Sequence, residues 1–338
     1  MTRGHGDDIH DYSDIRLNFS SNVYAGHDSS ALTAYLAEQL PHLGHYPEPS
    51  SHTLEQQLAA TLGLQPCQVM VTNGATEAIY LAAQAQTGND SVAAVVAPTF
   101  SEYADACCIN GLRVIYIGGL DDIPSSASMV WICNPNNPTG TVTGRDALLQ
   151  AIRSHRRTLF VVDASYAPFT NVPLLSATDA AGEPNVLMLH SMTKQYAVPG
   201  LRIGYVTGGE EQLRPLRQRQ MPWSVNTLAQ RAGSWLVTHS DAYAIPVGRL
   251  LSERARVAGM LQATGLIDCH SSDTHILLCR LRRGTAAELK EWLATTQGIL
   301  IRDASNFVGL TREHFRIAVG LPEENDILVN AITQYLCL

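Results

Sequence analysis

The sequence predicts an α/β protein: a large domain built on a mostly parallel sheet between helices, followed by a small α+β C-terminal domain. Three observations carry this. From Val69 onward, short β-rich runs alternate with helical stretches: VMVT, VAAVV, RVIYI, MVWIC, TLFVV and VLML in turn. The runs are apolar throughout, as expected of strands covered on both faces. A chain of 338 residues with 45% hydrophobic and only 16% charged residues suits one large core plus a smaller one.

Taken in order, the first 28 residues are polar and show little periodicity. They carry His5-Gly6-Asp7 and the run NFSSN (Asn18 to Asn22), and a structureless stretch of this length suits an arm folded over a pocket. Ser29 and Ser30 are placed to cap a helix with Leu32, Leu36 and Leu40 on its apolar face, stopped by Pro41. HYPEP (His45 to Pro49) reads as a turn, and a second helix follows through Leu54, Leu58 and Leu62. The strand–helix alternation then runs on to about Gln212. A long helix is expected from about Asp241 to Thr264, its arginines and glutamates marking a solvated face. HILLCRL, a helix near 286–295, GILIR, HFRIAVG and a last helix complete the chain. The expected division is an arm (1–28), a large domain (29–240), and a connecting helix with a small domain (241–338).

Charge and cysteine usage narrow the function. A net charge of -8 argues against nucleic acid and acidic membranes as partners. The seven cysteines form no CxxC pair and read as reduced, mostly buried thiols. The opening residues lack the apolar stretch of a signal peptide, and no run approaches a membrane span. A cytoplasmic protein is expected. His42, His45 and His52 are broken by proline and lack clustered carboxylates, so no metal site is expected.

The chemistry centres on Leu189–Tyr205, LHSMTKQYAVPGLRIGY. A strand delivers a hydroxyl-rich turn, then Lys194, a Pro-Gly bend, Arg202 and another strand. A lysine in a partly desolvated pocket beside cationic neighbours has its amine pKa lowered, making it a candidate Schiff-base former. Other strand ends supply matching parts. Asn73-Gly74-Ala75-Thr76-Glu77 joins a strand to a helix, where free N–H groups and the helix dipole bind anions. Phe100 and Tyr103 are aromatics beyond the next strand and could stack on a planar ring. In Asn134-Pro135-Asn136-Asn137-Pro138-Thr139-Gly140 two prolines stiffen a turn that presents Asn137. Asp163 ends the apolar TLFVV strand, with Tyr166 three residues on. A buried aspartate there could keep a pyridinium nitrogen protonated.

Anion turn, aromatic, NPNNPTG, aspartate, Ser/Thr-x-x-Lys and arginine occur here in a single order. In that order they resemble the type I fold of pyridoxal-phosphate enzymes, the aspartate aminotransferase superfamily, over nearly the whole chain. Within it the sequence is most similar to the threonine-phosphate decarboxylase family of cobalamin biosynthesis, near the histidinol-phosphate aminotransferases. His5-Gly6, NFSSN, MTKQYAVPGLRIGY, RQMPWSVN (Arg219 to Asn226) and ILIRDASNFVGL (Ile299 to Leu310) carry this likeness. Two local departures are HGDD in place of HGG and Asp163-Ala164-Ser165 in place of Asp-Glu-Ala.

The resemblance implies a type I transferase fold with a seven-stranded-type sheet and pyridoxal 5′-phosphate as cofactor. Lys194 would attach the cofactor, and Asp163 would pair with the ring nitrogen. Tyr166 and Asn137 would hold the ring hydroxyl, and Phe100 would stack on the ring. Gly74, Ala75, Thr76, Ser191, Thr193 and Arg202 would hold the cofactor phosphate. Tyr46 would reach the site of a second copy, which implies a homodimer. His5, Gly6, Asn22, Asn137, Arg302 and Arg316 would hold a small phosphorylated amino-acid substrate. The implied reaction is decarboxylation of L-threonine O-3-phosphate, with transamination of histidinol phosphate or a similar substrate as the alternative. A non-catalytic regulator on this fold is a third class, and the presence of Lys194 and Asp163 argues against it.

Overall fold

In the structure, a computed structural model describing residues 7–24, 26–88 and 91–338, the site is built on seven strands. These are β1 (Val69–Thr72), β2 (Val92–Val96), β3 (Arg113–Ile117), β4 (Met129–Cys133), β5 (Leu159–Asp163), β6 (Val186–Ser191) and β7 (Gly204–Gly208). They lie in the order β1-β7-β6-β5-β4-β2-β3. β7 is antiparallel to both its neighbours and every other pair is parallel. Six strands therefore end on one edge of the sheet, the edge where open α/β sheets bind ligands. Because β7 runs the other way, its first residues reach that same edge and bring Arg202 with them. The apolar runs follow from burial on both faces: every residue of β1 and of β4 is buried.

The outer edge of β1 is closed by side chains. The Val71 N–H donates to Glu55 Oε1 at 3.0 Å, and Gln220 Nε2 donates to the Val71 carbonyl at 2.8 Å. Arg217 donates to the Val69 carbonyl and forms an ion pair with Glu55 at 3.0 Å. An edge whose ladder groups are already satisfied cannot recruit another strand.

A second, antiparallel sheet contains β8 (Ile267–Cys269), β9 (Ile276–Leu281), β10 (Arg302–Asp303) and β11 (His314–Ala318), ordered β10-β11-β9-β8. Its apolar face packs Leu277, Phe315 and Ile317 against Leu261 and Leu328 of the helices Val247–Ala263 and Pro322–Leu336. The N-terminal segment is tied to this sheet. Leu17–Asn18 pairs in parallel with Ile299–Leu300, and Phe19 is buried in the same core.

Three local expectations are corrected. The helix expected from about Asp241 begins at Val247, because Pro246 separates it from a 3-10 turn at Ser240–Tyr243. Ser29 does not cap its helix with its side chain; Asp28 Oδ1 accepts the Ser30 N–H at 2.8 Å. Lys194, expected between a hydroxyl-rich turn and a Pro-Gly bend, lies on a short helical turn, Met192–Gln195.

Candidate active site

The C-terminal edge of the large sheet opens into a cavity of about 350 Å³. Ala75, Thr76, Phe100, Asn137, Asp163, Tyr166, Ser191, Thr193, Lys194 and Arg202 all line it, as do Asn22 and Arg316. Strand ends thus bring together residues that are far apart in sequence.

The anion turn is held from below. Gly74 opens the helix Gly74–Ala85 with φ +72°, and a Cβ there would lie 2.5 Å from Arg202 Nη2. Only glycine lets the guanidinium approach the turn so closely. Asn73 N–H donates to Glu77 Oε2 at 2.6 Å, and Ser224 of RQMPWSVN donates to the same carboxylate oxygen at 3.3 Å. That distinctive stretch therefore buttresses the turn and does not line the cavity.

Asp163 is buried, accepts two hydrogen bonds from within the protein and still faces the cavity. Tyr103 Oη donates to Oδ2 at 2.7 Å, and the Ser165 N–H donates to Oδ1 at 2.9 Å. The Asp-Ala-Ser departure thus keeps a backbone donor on the aspartate. Phe100 meets Tyr103 edge-on, with ring centres 5.8 Å apart. Tyr166 Oη accepts from Asn22 Nδ2 at 3.0 Å, and burial raises its pKa.

Lys194 Nζ donates to the Ser21 carbonyl at 3.1 Å, its one hydrogen bond among the described residues. Burial, then the charge of Arg316, lowers its amine pKa to about 8. A lysine in that state is a usable nucleophile near neutral pH.

Across the cavity stands the small sheet. Arg316 Nη1 donates to Asn137 Oδ1 at 2.6 Å, and its Nη2 donates to the Ser20 carbonyl. Burial lowers its pKa to about 10. Arg302 is its direct cross-strand neighbour, lies over the Phe307 ring at 5.3 Å and donates to Asn306 Oδ1 at 2.8 Å. Arg302 does not itself line the cavity. The NPNNPTG turn is fastened to this half: Asp273 N–H donates to the Gly140 carbonyl at 2.9 Å, and Val142 N–H to Asp273 Oδ2 at 2.9 Å.

Two expected site residues, His5 and Gly6, lie outside the described residues. Tyr46 is 85% exposed, against Trp223 and away from this cavity. The sequence reading missed the grip of Tyr103 on Asp163, the Ser20 and Ser21 carbonyls, Asp7 in the cavity wall and His275 behind it. Tyr103 had a local signal in its place just beyond a strand end, and Asp7, Ser20 and Ser21 lay in the stretch expected to fold over a pocket; His275 had none.

The sequence pattern of the aminotransferase class I and II family matches residues 14–332. The chain belongs to that family. Its enzymes depend on pyridoxal phosphate, so pyridoxal 5′-phosphate is the cofactor here. Among similar proteins, the threonine-phosphate decarboxylase of Salmonella typhimurium is 28% identical over 96% of this chain and 92% of its own length. A histidinol-phosphate aminotransferase of Caldanaerobacter subterraneus subsp. tengcongensis is 27% identical over 87% and 85%. The crystal structure of L-threonine-O-3-phosphate decarboxylase from Porphyromonas gingivalis superposes with a TM-score of 0.91 at 34% identity, covering 95% of this chain and 100% of that one. Among the described residues, no helix is long and apolar enough to cross a membrane, and no His, Cys, Asp or Glu cluster could hold a metal ion.

Proposed function

We propose that this enzyme decarboxylates L-threonine O-3-phosphate to (R)-1-aminopropan-2-ol O-phosphate and CO₂, in the cytoplasm and as a homodimer. The observation that carries the reading is the pair Arg302 and Arg316, only 7% and 3% exposed and directly opposed across β10 and β11. Neither has an ion-pair partner among the described residues. Two adjacent buried guanidinium groups without an ion pair are costly alone, and a substrate bearing both a phosphate and a carboxylate would offset that charge, through hydrogen bonds to Arg316 in the cavity wall and the field of Arg302 behind it. The likeness to threonine-phosphate decarboxylases supports the same choice.

The residues fit the cofactor. The Gly74 cradle beside Arg202, the low-pKa lysine and the buried Asp163 are the parts that a phosphate, an aldehyde and a ring nitrogen need. When bound, pyridoxal phosphate supplies an electron sink for the pair left at Cα. Lys194 would attach the cofactor, and its amine would be the acid that returns a proton to Cα once CO₂ has left. Asp163, oriented by Tyr103 and the Ser165 amide, keeps a proton on the ring nitrogen. Tyr166 and Asn137 hold the ring hydroxyl, and Phe100 covers the ring. The backbone at Gly74, Ala75 and Thr76 binds the cofactor phosphate with Ser191, Thr193 and Arg202, and Tyr46 completes that site in a second copy. Arg302, Arg316, Asn22 and Asn137, with His5 and Gly6, orient the substrate so that its Cα–carboxylate bond is the one broken. The working division is an arm to residue 28, a cofactor-holding body from 29 to 240 and a substrate-side part from 241 to 338.

Transamination of histidinol phosphate would use the same cofactor residues, and relatives of that activity are about as similar. Turnover with each substrate, with and without 2-oxoglutarate, separates the two. Phosphothreonine turnover that needs no keto acid is expected; turnover of histidinol phosphate that depends on 2-oxoglutarate, with none of phosphothreonine, contradicts the proposal.

A further inference from the structure

Three consecutive backbone carbonyls of the N-terminal segment each take a hydrogen bond from a different basic side chain. The Ser20 carbonyl accepts from Arg316 Nη2, the Ser21 carbonyl from Lys194 Nζ at 3.1 Å, and the Asn22 carbonyl faces His275 Nε2 at 3.4 Å. Two of the three donors have other work in the proposed reaction: Lys194 must turn to the cofactor, and Arg316 to the substrate. His275 has none. It is fully buried, does not line the cavity, and stacks on Phe169 with ring centres 4.0 Å apart.

The chemistry of this imidazole is narrowly set. Burial, with Arg316 and Lys194 nearby, lowers its pKa to about 3, so it is neutral and carries one N–H. A carbonyl only accepts, so that hydrogen is on Nε2 and points at Asn22. Nδ1 is buried with no partner among the described residues. Asn22 itself has φ +56°, a left-handed conformation that asparagine adopts more readily than most residues with a side chain. Its Nδ2 donates at 3.0 Å to the hydroxyl of Tyr166.

We propose that His275 is a positioning residue: its neutral Nε2–H anchors the Asn22 carbonyl, and through Asn22 it aims the Tyr166 hydroxyl at the cofactor's ring oxygen. It is the donor that stays on the segment 20–22 when Lys194 and Arg316 turn to their ligands. The small sheet, which carries His275 beside β9, thereby reaches the electronics of a cofactor held by the large sheet. This rests on the proposed place of Tyr166 at the ring hydroxyl.

The test is a pH titration of the bound cofactor's absorbance in the purified holoenzyme, with melting temperature as a fold check. A hydrogen bond to the ring oxygen favours its anionic form, so losing that bond raises the titration midpoint. Tyr166→Phe is expected to raise it most. His275→Phe keeps the stack on Phe169 but has no donor, and is expected to raise the midpoint by about half a pH unit or more, roughly a threefold change in the proton equilibrium. His275→Gln can restore a donor and is expected to return the midpoint close to wild type. An unmoved midpoint in His275→Phe, with Tyr166→Phe shifted, overturns the role of His275. So does a shift in His275→Gln as large as that in His275→Phe, since packing alone would then explain both. If Tyr166→Phe leaves the midpoint in place, the placement of Tyr166 is wrong and the inference falls with it.

Discussion

The two walls of the cavity handle buried charge in opposite ways. On the large-sheet side the buried carboxylate is satisfied twice within the protein, by the Tyr103 hydroxyl and the Ser165 amide. On the small-sheet side two buried arginines face each other across a strand pair, and neither forms an ion pair among the described residues. A wall whose polar groups are already paired is preorganised for one permanent ligand. A wall whose arginines lack ion pairs suits a ligand that comes and goes, and in the proposed reading that ligand is the substrate. In the proposed reading, cofactor and substrate selection are housed on different sheets, joined by the segment 20–22 that bridges them.

Substitutions can break this contrast in graded steps. Lys194→Ala should cost the most, roughly 10⁴-fold or more in kcat, and should abolish retention of the cofactor on the denatured chain after borohydride reduction, read by mass spectrometry. Arg316→Leu should lower kcat/KM for phosphothreonine by roughly a hundredfold, the scale of about 3 kcal/mol for a lost charged hydrogen-bond pair. Its affinity for pyridoxal phosphate, followed by fluorescence, should change little; a large loss of cofactor affinity would erase the contrast between the walls. Tyr103→Phe should act the other way, weakening cofactor retention and kcat by roughly tenfold, as one hydrogen bond to a carboxylate is worth about 1.5 kcal/mol or somewhat more, while sparing KM.

The smallest effect concerns the resting lysine. With its pKa lowered to about 8 in the folded apoenzyme, Lys194 must be buried as a cation below that pH. The unfolded chain binds its proton more tightly, so stability carried by this group is lowest below pH 8 and rises through the window up to the unfolded value near 10.4. The apo form of Lys194→Met should therefore melt a few degrees above the wild type at pH 7, with the gain shrinking toward pH 10. A gain that does not depend on pH would mean that packing, not charge, is responsible.

How much of this was legible in the sequence follows the same division. The large-sheet wall is built from turns at strand ends, and turns constrain residue type locally: Gly74 for close approach, the prolines around Asn137, a lysine after a hydroxyl-rich strand end. Those signals survive in a linear reading. The small-sheet wall depends on cross-strand register between Arg302 and Arg316, which no local pattern announces; both residues entered through family likeness alone. Tyr103 meets Asp163 from 60 residues away, and His275 meets Asn22 across 253. Read linearly, His275 was simply the first residue of an apolar strand. The helix expected from about Asp241 starts later because Pro246 ends one element and begins another, and the charged face that suggested it lies beyond that proline.

The most direct test of the proposed reaction follows the carboxyl carbon itself. Phosphothreonine labelled with ¹³C in the carboxylate, incubated with the holoenzyme without any keto acid and watched by NMR, should lose its label entirely to CO₂ and bicarbonate while unlabelled aminopropanol phosphate accumulates. Label that stays in an organic product, as a keto acid formed only when 2-oxoglutarate is added, would contradict the decarboxylase reading and assign the arginine pair to an aminotransferase.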